Sequence, residues 1–260
     1  MPVTVRPYFA SSSKVWEDVA WIFGIEEAGF AGWEISADGN YRLDEPAKKK
    51  RVVETLASTT LDATVHAPYT DLNPASINDP IWQESVRQIC ACVENAADFT
   101  DRVTMHPGYL SPAGKLLPGR VWDQQKEALR IIGRCGEENG VLVCLENMIN
   151  IPEFLCHDPY ELLGITGGIE GIGVTFDIGH ANTVGNVGDF LKEIGNASHL
   201  HIHDNHGSSD EHLPLGDGTI DWEAAGHAIA GGYHGGIAVV EGRNLDEAER
   251  SLQIFRRCFV

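Results

Sequence analysis

Histidines and carboxylates recur along this chain at the ends of short apolar runs. The side chains that end six consecutive runs are those of His66, His106, Glu146, Asp177, His203 and Glu241, and His180 follows three residues after Asp177. Carboxylates brought into one pocket repel each other unless some take up protons, whereas a divalent ion removes that cost and also binds imidazole nitrogen. Mixed nitrogen and oxygen ligands favour Zn²⁺, Mn²⁺, Fe²⁺ or Co²⁺ over Ca²⁺, which prefers oxygen alone. The residue types therefore indicate a metal site.

The apolar run that ends at His203 and the loop after it add further ligand candidates. His199, His201 and His203 alternate, so a strand would place all three on one face. The loop continues to Asp210 and His212, which offer two more donors, and then to the segment Gly216-Asp217-Gly218. Glycines there let the backbone approach a ligand closely, although an ordinary turn explains the same spacing equally well.

Eight short apolar runs alternate with eight longer amphipathic ones, and this order positions the candidate ligands. The predicted strands cover residues 3–9, 32–35, 63–67, 102–106, 141–146, 173–177, 199–203 and 237–241. The predicted helices cover residues 15–28, 46–58, 81–99, 120–139, 159–165, 187–194, 222–230 and 245–259. Strict alternation implies a parallel sheet, and eight strands close it into a (β/α)₈ TIM barrel, expected as a single domain over residues 1–260. In this fold the C-terminal strand ends meet at one rim, so the ligand candidates should converge there.

Composition limits the classes of partner. The chain carries 19 Lys and Arg against 38 Asp and Glu, a net charge of −19. Such a surface repels a phosphodiester backbone, which disfavours nucleic acid as a partner. No stretch approaches the roughly 20 apolar residues of a membrane span, and no secretory signal is visible at the N-terminus, so we expect a cytoplasmic protein without a membrane partner. The sequence leaves a homo-oligomer open.

In the order and type of these segments the chain resembles the xylose-isomerase-like TIM barrel superfamily, which includes sugar isomerases and epimerases and the endonuclease IV group. The segments that carry the resemblance are His66-Ala67-Pro68-Tyr69, His106-Pro107-Gly108, Glu146-Asn147, Asp177-Ile178-Gly179-His180, His201-Ile202-His203-Asp204, residues 210–218 and Glu241. Singly, only the segment from Asp177 to His180 and the segment 210–218 are distinctive. Together they are specific for the superfamily.

The resemblance implies a set of nine ligands for one to three divalent ions, with Zn²⁺ or Mn²⁺ expected. The ligands of a first ion would be Glu146, Asp177, His201 and Glu241. A second ion would lie at His66 and His106, with Glu146 bridging, and a third at His180, Asp210 and His212. In the epimerases His180 would instead contact substrate, so the resemblance makes Glu146, Glu241 and His180 the candidate catalytic residues.

The first functional interpretation is a metal-dependent isomerase or epimerase of a sugar or sugar phosphate. Glu146 and Glu241 would exchange a proton with the substrate through an enediolate, each serving as acid or base. The acidic surface suits a small-molecule substrate. The ketohexose epimerases have an Arg where this chain has His206. Their second helper carboxylate has no clear match here, although Glu153 is a candidate, so the exact sugar stays open.

The alternative interpretation is an endonuclease IV-like multi-zinc phosphodiesterase acting at abasic sites in DNA. The complete nine-ligand set supports it, and Tyr69 matches a residue that members of that group place against DNA. The net charge opposes it. So does the segment 147–152, because the repair enzymes have a polar, glycine-rich loop at this point. Another metal-dependent lyase or hydrolase is the third interpretation. A non-enzymatic metal-binding or interaction protein ranks lowest, because a purely structural metal site would not need so many ligands around an open barrel mouth.

Overall fold

A computed structural model of the protein describes residues 4–259. The strands are β1 (Arg6–Ala10), β2 (Gly32–Ser36), β3 (Asp62–His66), β4 (Arg102–Met105), β5 (Leu142–Glu146), β6 (Ile172–Asp177), β7 (His199–Ile202) and β8 (Ile237–Glu241). The α-helices are α1 (Phe23–Ala28), α2 (Pro46–Leu56), α3 (Asp79–Ala96), α4 (Pro118–Asn139), α5 (Pro159–Thr166), α6 (Ile178–Val184), α7 (Val187–Lys192), α8 (Trp222–Gly232) and α9 (Leu245–Cys258). Within residues 4–259, none of these helices combines the length and the apolar character that crossing a bilayer requires.

The eight strands form one closed parallel barrel in chain order. Closure is made by β1 and β8, whose register pairs Arg6 with Ile237 and Ala10 with Glu241. Helices surround the sheet, and most of the apolar core lies between these two layers. The prediction of a (β/α)₈ TIM barrel is therefore confirmed.

Most element boundaries differ from the prediction by a few residues, and three differences concern the start or the nature of an element. The first predicted strand began at residue 3, which lies outside the described residues, and β1 begins at Arg6. The predicted helix 15–28 is instead a 3-10 turn followed by a short helix, because the side chain of Asp18 accepts a hydrogen bond from the amide of Ala20 and starts a new turn there. Helix α6 was not predicted. It starts directly after β6, where the side chain of Asp177 accepts from the amide of His180.

Most helix starts follow ordinary sequence rules. Helices α2, α3, α4 and α5 each begin with a proline in the first turn, a position where the missing N–H costs nothing. At α9 the side chain of Asn244 caps the amide of Glu247, and Arg256 and Arg257 in the last turn complement the helix dipole. These local signals set where the loops before these five helices end at the rim.

The inside of the barrel is unusually polar below the rim. Glu34, Thr64, Thr104, Thr175 and His199 are all buried there. Barrel interiors are usually filled by branched apolar side chains, and buried polar groups are tolerated only when they find partners. The hydroxyls of Thr104 and Thr175 pair at 2.9 Å across the barrel. The polar rim site therefore continues into the barrel as a hydrogen-bonded layer.

Candidate metal centre

The nine side chains predicted as metal ligands lie together at the C-terminal end of the barrel. They surround the floor of a cavity of about 420 Å³. Seven of them line this cavity, namely His66, His106, Glu146, His180, Asp210, His212 and Glu241. Asp177 and His201 are fully buried beneath it. Their convergence follows from the fold, because β3 to β8 each end within a residue or two of one of these groups.

Three carboxylates surround one ring nitrogen of His201. Its Nδ1 lies 2.8 Å from Oε1 of Glu146, 3.4 Å from Oε1 of Glu241 and 4.0 Å from Oδ2 of Asp177. Glu146 and Asp177 are buried, while the side chain of Glu241 is 14% exposed and reaches the cavity. This first group is the most enclosed of the candidate ion positions.

A second group forms on the other oxygen of Glu146. Nε2 of His66 lies 3.3 Å from Oε2 of Glu146, and Nε2 of His106 lies 3.1 Å from the same atom. Nδ1 of His66 is 2.9 Å from the carbonyl oxygen of Ala67, which accepts its proton and leaves Nε2 free to bind an ion. The two oxygens of Glu146 thus face different groups, which is the arrangement a bridging carboxylate needs.

The third group is built around Asp210. Nε2 of His212 lies 2.9 Å and Nε2 of His180 3.6 Å from Oδ2 of Asp210. The ring of His180 is oriented by the carbonyl oxygen of Asn147, 2.8 Å from Nδ1. His212 has φ of 48°, a left-handed conformation that is rare for a residue with a side chain. Such backbone strain is typical of functional sites, and here it turns the imidazole toward Asp210.

His203 lies between the first and third groups; the sequence placed it in the predicted metal cluster as the end of a strand, but it is not among the nine ligands that the resemblance implies. Its Nε2 is 3.3 Å from Oδ1 of Asp177 and 3.4 Å from Oδ1 of Asp210. The ring is fully buried and stacks on that of His212, with centroids 4.2 Å apart. The alternation of histidines along β7 was the signal that pointed to this position.

Glu34 of β2 was missed altogether. Its carboxylate is fully buried and lies 2.8 Å from each of His199 Nε2, His201 Nε2 and Thr64 Oγ1. The available signal was a single charged residue inside an otherwise buried, uncharged strand. Such a residue is buried only when it is paired.

Opposite charges dominate the electrostatics of the cluster. Burial by itself would raise the pKa of Glu146, but the charge of His201 and hydrogen bonds from the neighbouring histidines hold that pKa well below its ordinary value. Burial likewise opposes protonation of His201 and His180, yet nearby carboxylates raise the pKa of both well above the ordinary value for histidine. Attraction between the carboxylates and these histidines therefore stabilises the cluster.

Several buried nitrogen and oxygen atoms of the cluster have no aligned hydrogen-bond partner within residues 4–259. They are Oδ2 of Asp177, Nδ1 and Nε2 of both His201 and His203, and Oδ1 of Asp210. Unpaired buried polar atoms are rare because each costs free energy. Since all are oxygen or nitrogen atoms of known metal-ligating residue types, they fit one or more divalent ions.

Two residues that the sequence placed near the substrate lie elsewhere. Glu153, the candidate helper carboxylate, is not among the cavity-lining residues and pairs with Nζ of Lys115 on the surface, so that interpretation was wrong. His206 is exposed and pairs with Glu211 at 2.9 Å. Tyr69 does line the cavity, with its ring 4.6 Å from that of His106.

Known proteins resemble this chain in both sequence and structure. It is 34% identical over 239 residues to an uncharacterized protein of Methanocaldococcus jannaschii, covering 89% of this chain and 81% of that one. The crystal structure of a D-tagatose 3-epimerase-like protein has a TM-score of 0.90 at 32% identity, covering 97% of this chain and 96% of that chain.

More distant structures share the fold alone. D-psicose 3-epimerase from Clostridium cellulolyticum has a TM-score of 0.75 at 18% identity, covering 98% of this chain and 99% of the other. Endonuclease IV from Thermus thermophilus has a TM-score of 0.67 at 21% identity, covering 97% and 98%. A family model also matches residues 24–258. From this match, we conclude that the chain belongs to the xylose isomerase-like TIM barrel family.

Proposed function

We propose that this protein is a divalent-metal-dependent epimerase or isomerase acting on a small unphosphorylated sugar. The observation that carries the proposal is the approach of two carboxylates, those of Glu146 and Glu241, to within 2.8 and 3.4 Å of His201 Nδ1 at the floor of the cavity. Moving a proton between carbons requires a base and an acid at one reacting centre, and paired carboxylates supply both.

The chemistry divides between the ion and the side chains. A bound Zn²⁺ or Mn²⁺, held by Glu146, Asp177, His201 and Glu241, would polarise the substrate carbonyl and make the adjacent C–H more acidic. Glu241, the more accessible of the two glutamates, removes or returns that proton from the cavity side. Glu146, which is buried, acts as the second acid or base. His180 lines the cavity and offers Nε2 to a substrate oxygen, because its Nδ1 is already engaged by Asn147.

The cavity wall supports a neutral substrate. Among the described residues, no Lys or Arg lines it. A phosphate group is usually bound by basic side chains or helix N-termini, and a wall containing Asp71 as well as the cluster carboxylates would repel it. Tyr109, Met148 and Phe154 present apolar surface suited to sugar C–H groups, and the hydroxyls of Ser12 and Ser36 lie at the same wall.

An endonuclease IV-like activity is the second candidate. The full nine-ligand set and the shared fold with endonuclease IV favour it. Three observations favour the sugar reaction instead: the net charge of −19, the uncharged wall formed by Met148 and Ile149, and the lack of cavity-lining cations in the described part of the chain. Phosphate contacts by Lys and Arg supply most of the affinity of DNA-binding proteins, and this rim offers few.

The test is an activity panel of matched substrates. Protein loaded with Mn²⁺ or Zn²⁺ is incubated with free ketoses, with their phosphate esters and with a duplex that contains an abasic site. We expect conversion of at least one free sugar, with its phosphate ester a much poorer substrate. Preference for the phosphate ester, or strand cleavage without any sugar conversion, would contradict the proposal.

A further inference from the structure

Glu34 occupies a position one layer below the candidate metal centre. It projects from β2 into the barrel and is completely buried. Its Oε2 accepts hydrogen bonds from Thr64 Oγ1 and from Nε2 of His199, both at 2.8 Å. Its Oε1 lies 2.8 Å from Nε2 of His201. The carboxylate therefore reaches from one strand to two histidines that are successive inward-facing residues of β7.

The contact between Glu34 and His201 brings together one buried polar atom of each side chain. Glu34 Oε1 and His201 Nε2 have no aligned hydrogen-bond partner among residues 4–259. They lie 2.8 Å apart and carry opposite charges or a donor and an acceptor, and leaving either of them unpaired in the barrel interior is costly. The carboxylate thus fixes where the proton of a neutral His201 must be, on Nε2.

That assignment has a consequence on the opposite side of the ring. With its proton on Nε2, His201 turns the lone pair of Nδ1 toward Glu146 and Glu241, 2.8 and 3.4 Å away. A histidine that ligates a metal needs this arrangement, because a protonated nitrogen cannot ligate. Carboxylates that accept the other N–H of a ligand histidine set its tautomer and orientation and increase its basicity.

We infer that Glu34 is a positioning residue, which holds His201 in the tautomer and orientation that a divalent ion at Glu146, Asp177 and Glu241 requires. The inference rests on the metal-dependent function proposed above. It also accounts for a charged residue placed in the barrel interior, where an apolar side chain would pack at lower cost. His199 holds the other oxygen of the carboxylate, and Thr64 adds a third anchor, so the group has little freedom to swing away.

The test compares three variants with wild type by zinc competition against a chelator, without any sugar present. Glu34→Gln keeps the shape but can accept a hydrogen bond from only one of the two histidines. Glu34→Asp keeps the charge, and Thr104→Val is the matched control, because it removes a buried hydroxyl of the same barrel layer that pairs with Thr175. We expect Glu34→Gln to weaken zinc binding by about 10- to 100-fold, Glu34→Asp by less, and Thr104→Val to leave affinity unchanged.

A second readout needs no variant. In zinc-loaded wild-type protein with ¹⁵N-labelled histidine, NMR should show His201 with the metal on Nδ1 and a proton on Nε2. A proton on Nδ1, or a Glu34→Gln protein with unchanged zinc affinity, would overturn the role of Glu34 while leaving the proposed function intact. Wild-type protein that binds no zinc or manganese would overturn both.

Discussion

The imidazole ring of His203 lies directly over Gly179, so close that a Cβ at position 179 would overlap the ring. Gly179 is the second residue of α6 and follows Asp177 by two positions. The first turn of α6 therefore packs against the ring of His203 directly after Asp177, a candidate ligand of the first group. The glycine in the segment Asp177-Ile178-Gly179-His180 therefore has a physical explanation. It leaves room for a histidine whose Nε2 faces both Asp177 and Asp210.

Replacing this glycine should disturb His203 and the metal groups on either side. We expect Gly179→Ala to destabilise the fold by about 1–3 kcal/mol, the usual cost of overpacking a buried site, and to weaken metal binding. Gly188→Ala is the control, because no heavy atom lies near a Cβ at this position of α7. It should be neutral or stabilising by up to about 1 kcal/mol. Urea unfolding with and without zinc measures both; a Gly179→Ala protein as stable as wild type would refute the explanation.

Metal binding should weaken as the pH falls. Although burial lowers it, the pKa of His203 is raised to about 9 by Asp177 and Asp210, and the pKa values of His180 and His201 are also raised. A group with a raised pKa stays protonated below that value, and an ion must displace the proton to bind. Zinc affinity should therefore increase with pH through neutrality, with protons released on binding. Calorimetry in buffers of different ionisation enthalpy measures the release, and proton-free binding at neutral pH would contradict the prediction.

The second ion position should be separable from the first. His106 and His66 contact only the Oε2 side of Glu146, whereas His201 contacts Oε1. We expect His106→Ala to remove one ion and to leave the ion at the first group. His227→Ala, an exposed histidine of α8, should keep every ion. Anomalous diffraction at the zinc edge identifies the positions, and an unchanged set of peaks in His106→Ala would show that this histidine is not a ligand.

The sequence predicted the barrel and the convergence of the candidate ligands because both follow from simple periodicity. Alternating strands and helices imply a parallel barrel, and a parallel barrel brings its strand ends to one rim. His66, Glu146, Asp177 and Glu241 were located in this way, each as the last residue of its strand. No knowledge of side-chain conformation was needed.

Three-dimensional relationships account for what the sequence did not predict. Glu34 and His201 are 167 residues apart in numbering, so nothing local reveals their contact. Helix α6 is seven residues long, too short for a clear periodicity, and it starts at a cap formed by a predicted ligand. The position of Glu153 was predicted wrongly because the spacing of residues along the sequence does not determine the direction in which a loop runs. Its segment pairs with the loop after β4, through Leu110, and this turns the carboxylate away from the cavity.

Glu241 separates proton transfer from metal binding. Glu241→Gln keeps one ligating oxygen but loses the base, so we expect metal content to be largely retained while sugar turnover falls by about 10²- to 10⁴-fold. Glu153→Gln, a change on the surface outside the cavity, should keep wild-type activity. Metal analysis beside initial rates measures the pair. Activity and metal content falling together in Glu241→Gln would indicate that this residue acts only as a ligand.

Proton transfer to carbon is the central claim, and solvent isotope exchange tests it most directly. The metal-loaded protein is incubated in D₂O with a panel of free ketoses and aldoses, and deuterium at the carbon next to the carbonyl is measured by NMR or mass spectrometry. We predict incorporation by wild type into at least one free sugar and little by Glu241→Gln. Efficient cleavage of an abasic-site duplex with no deuterium in any sugar would contradict the account.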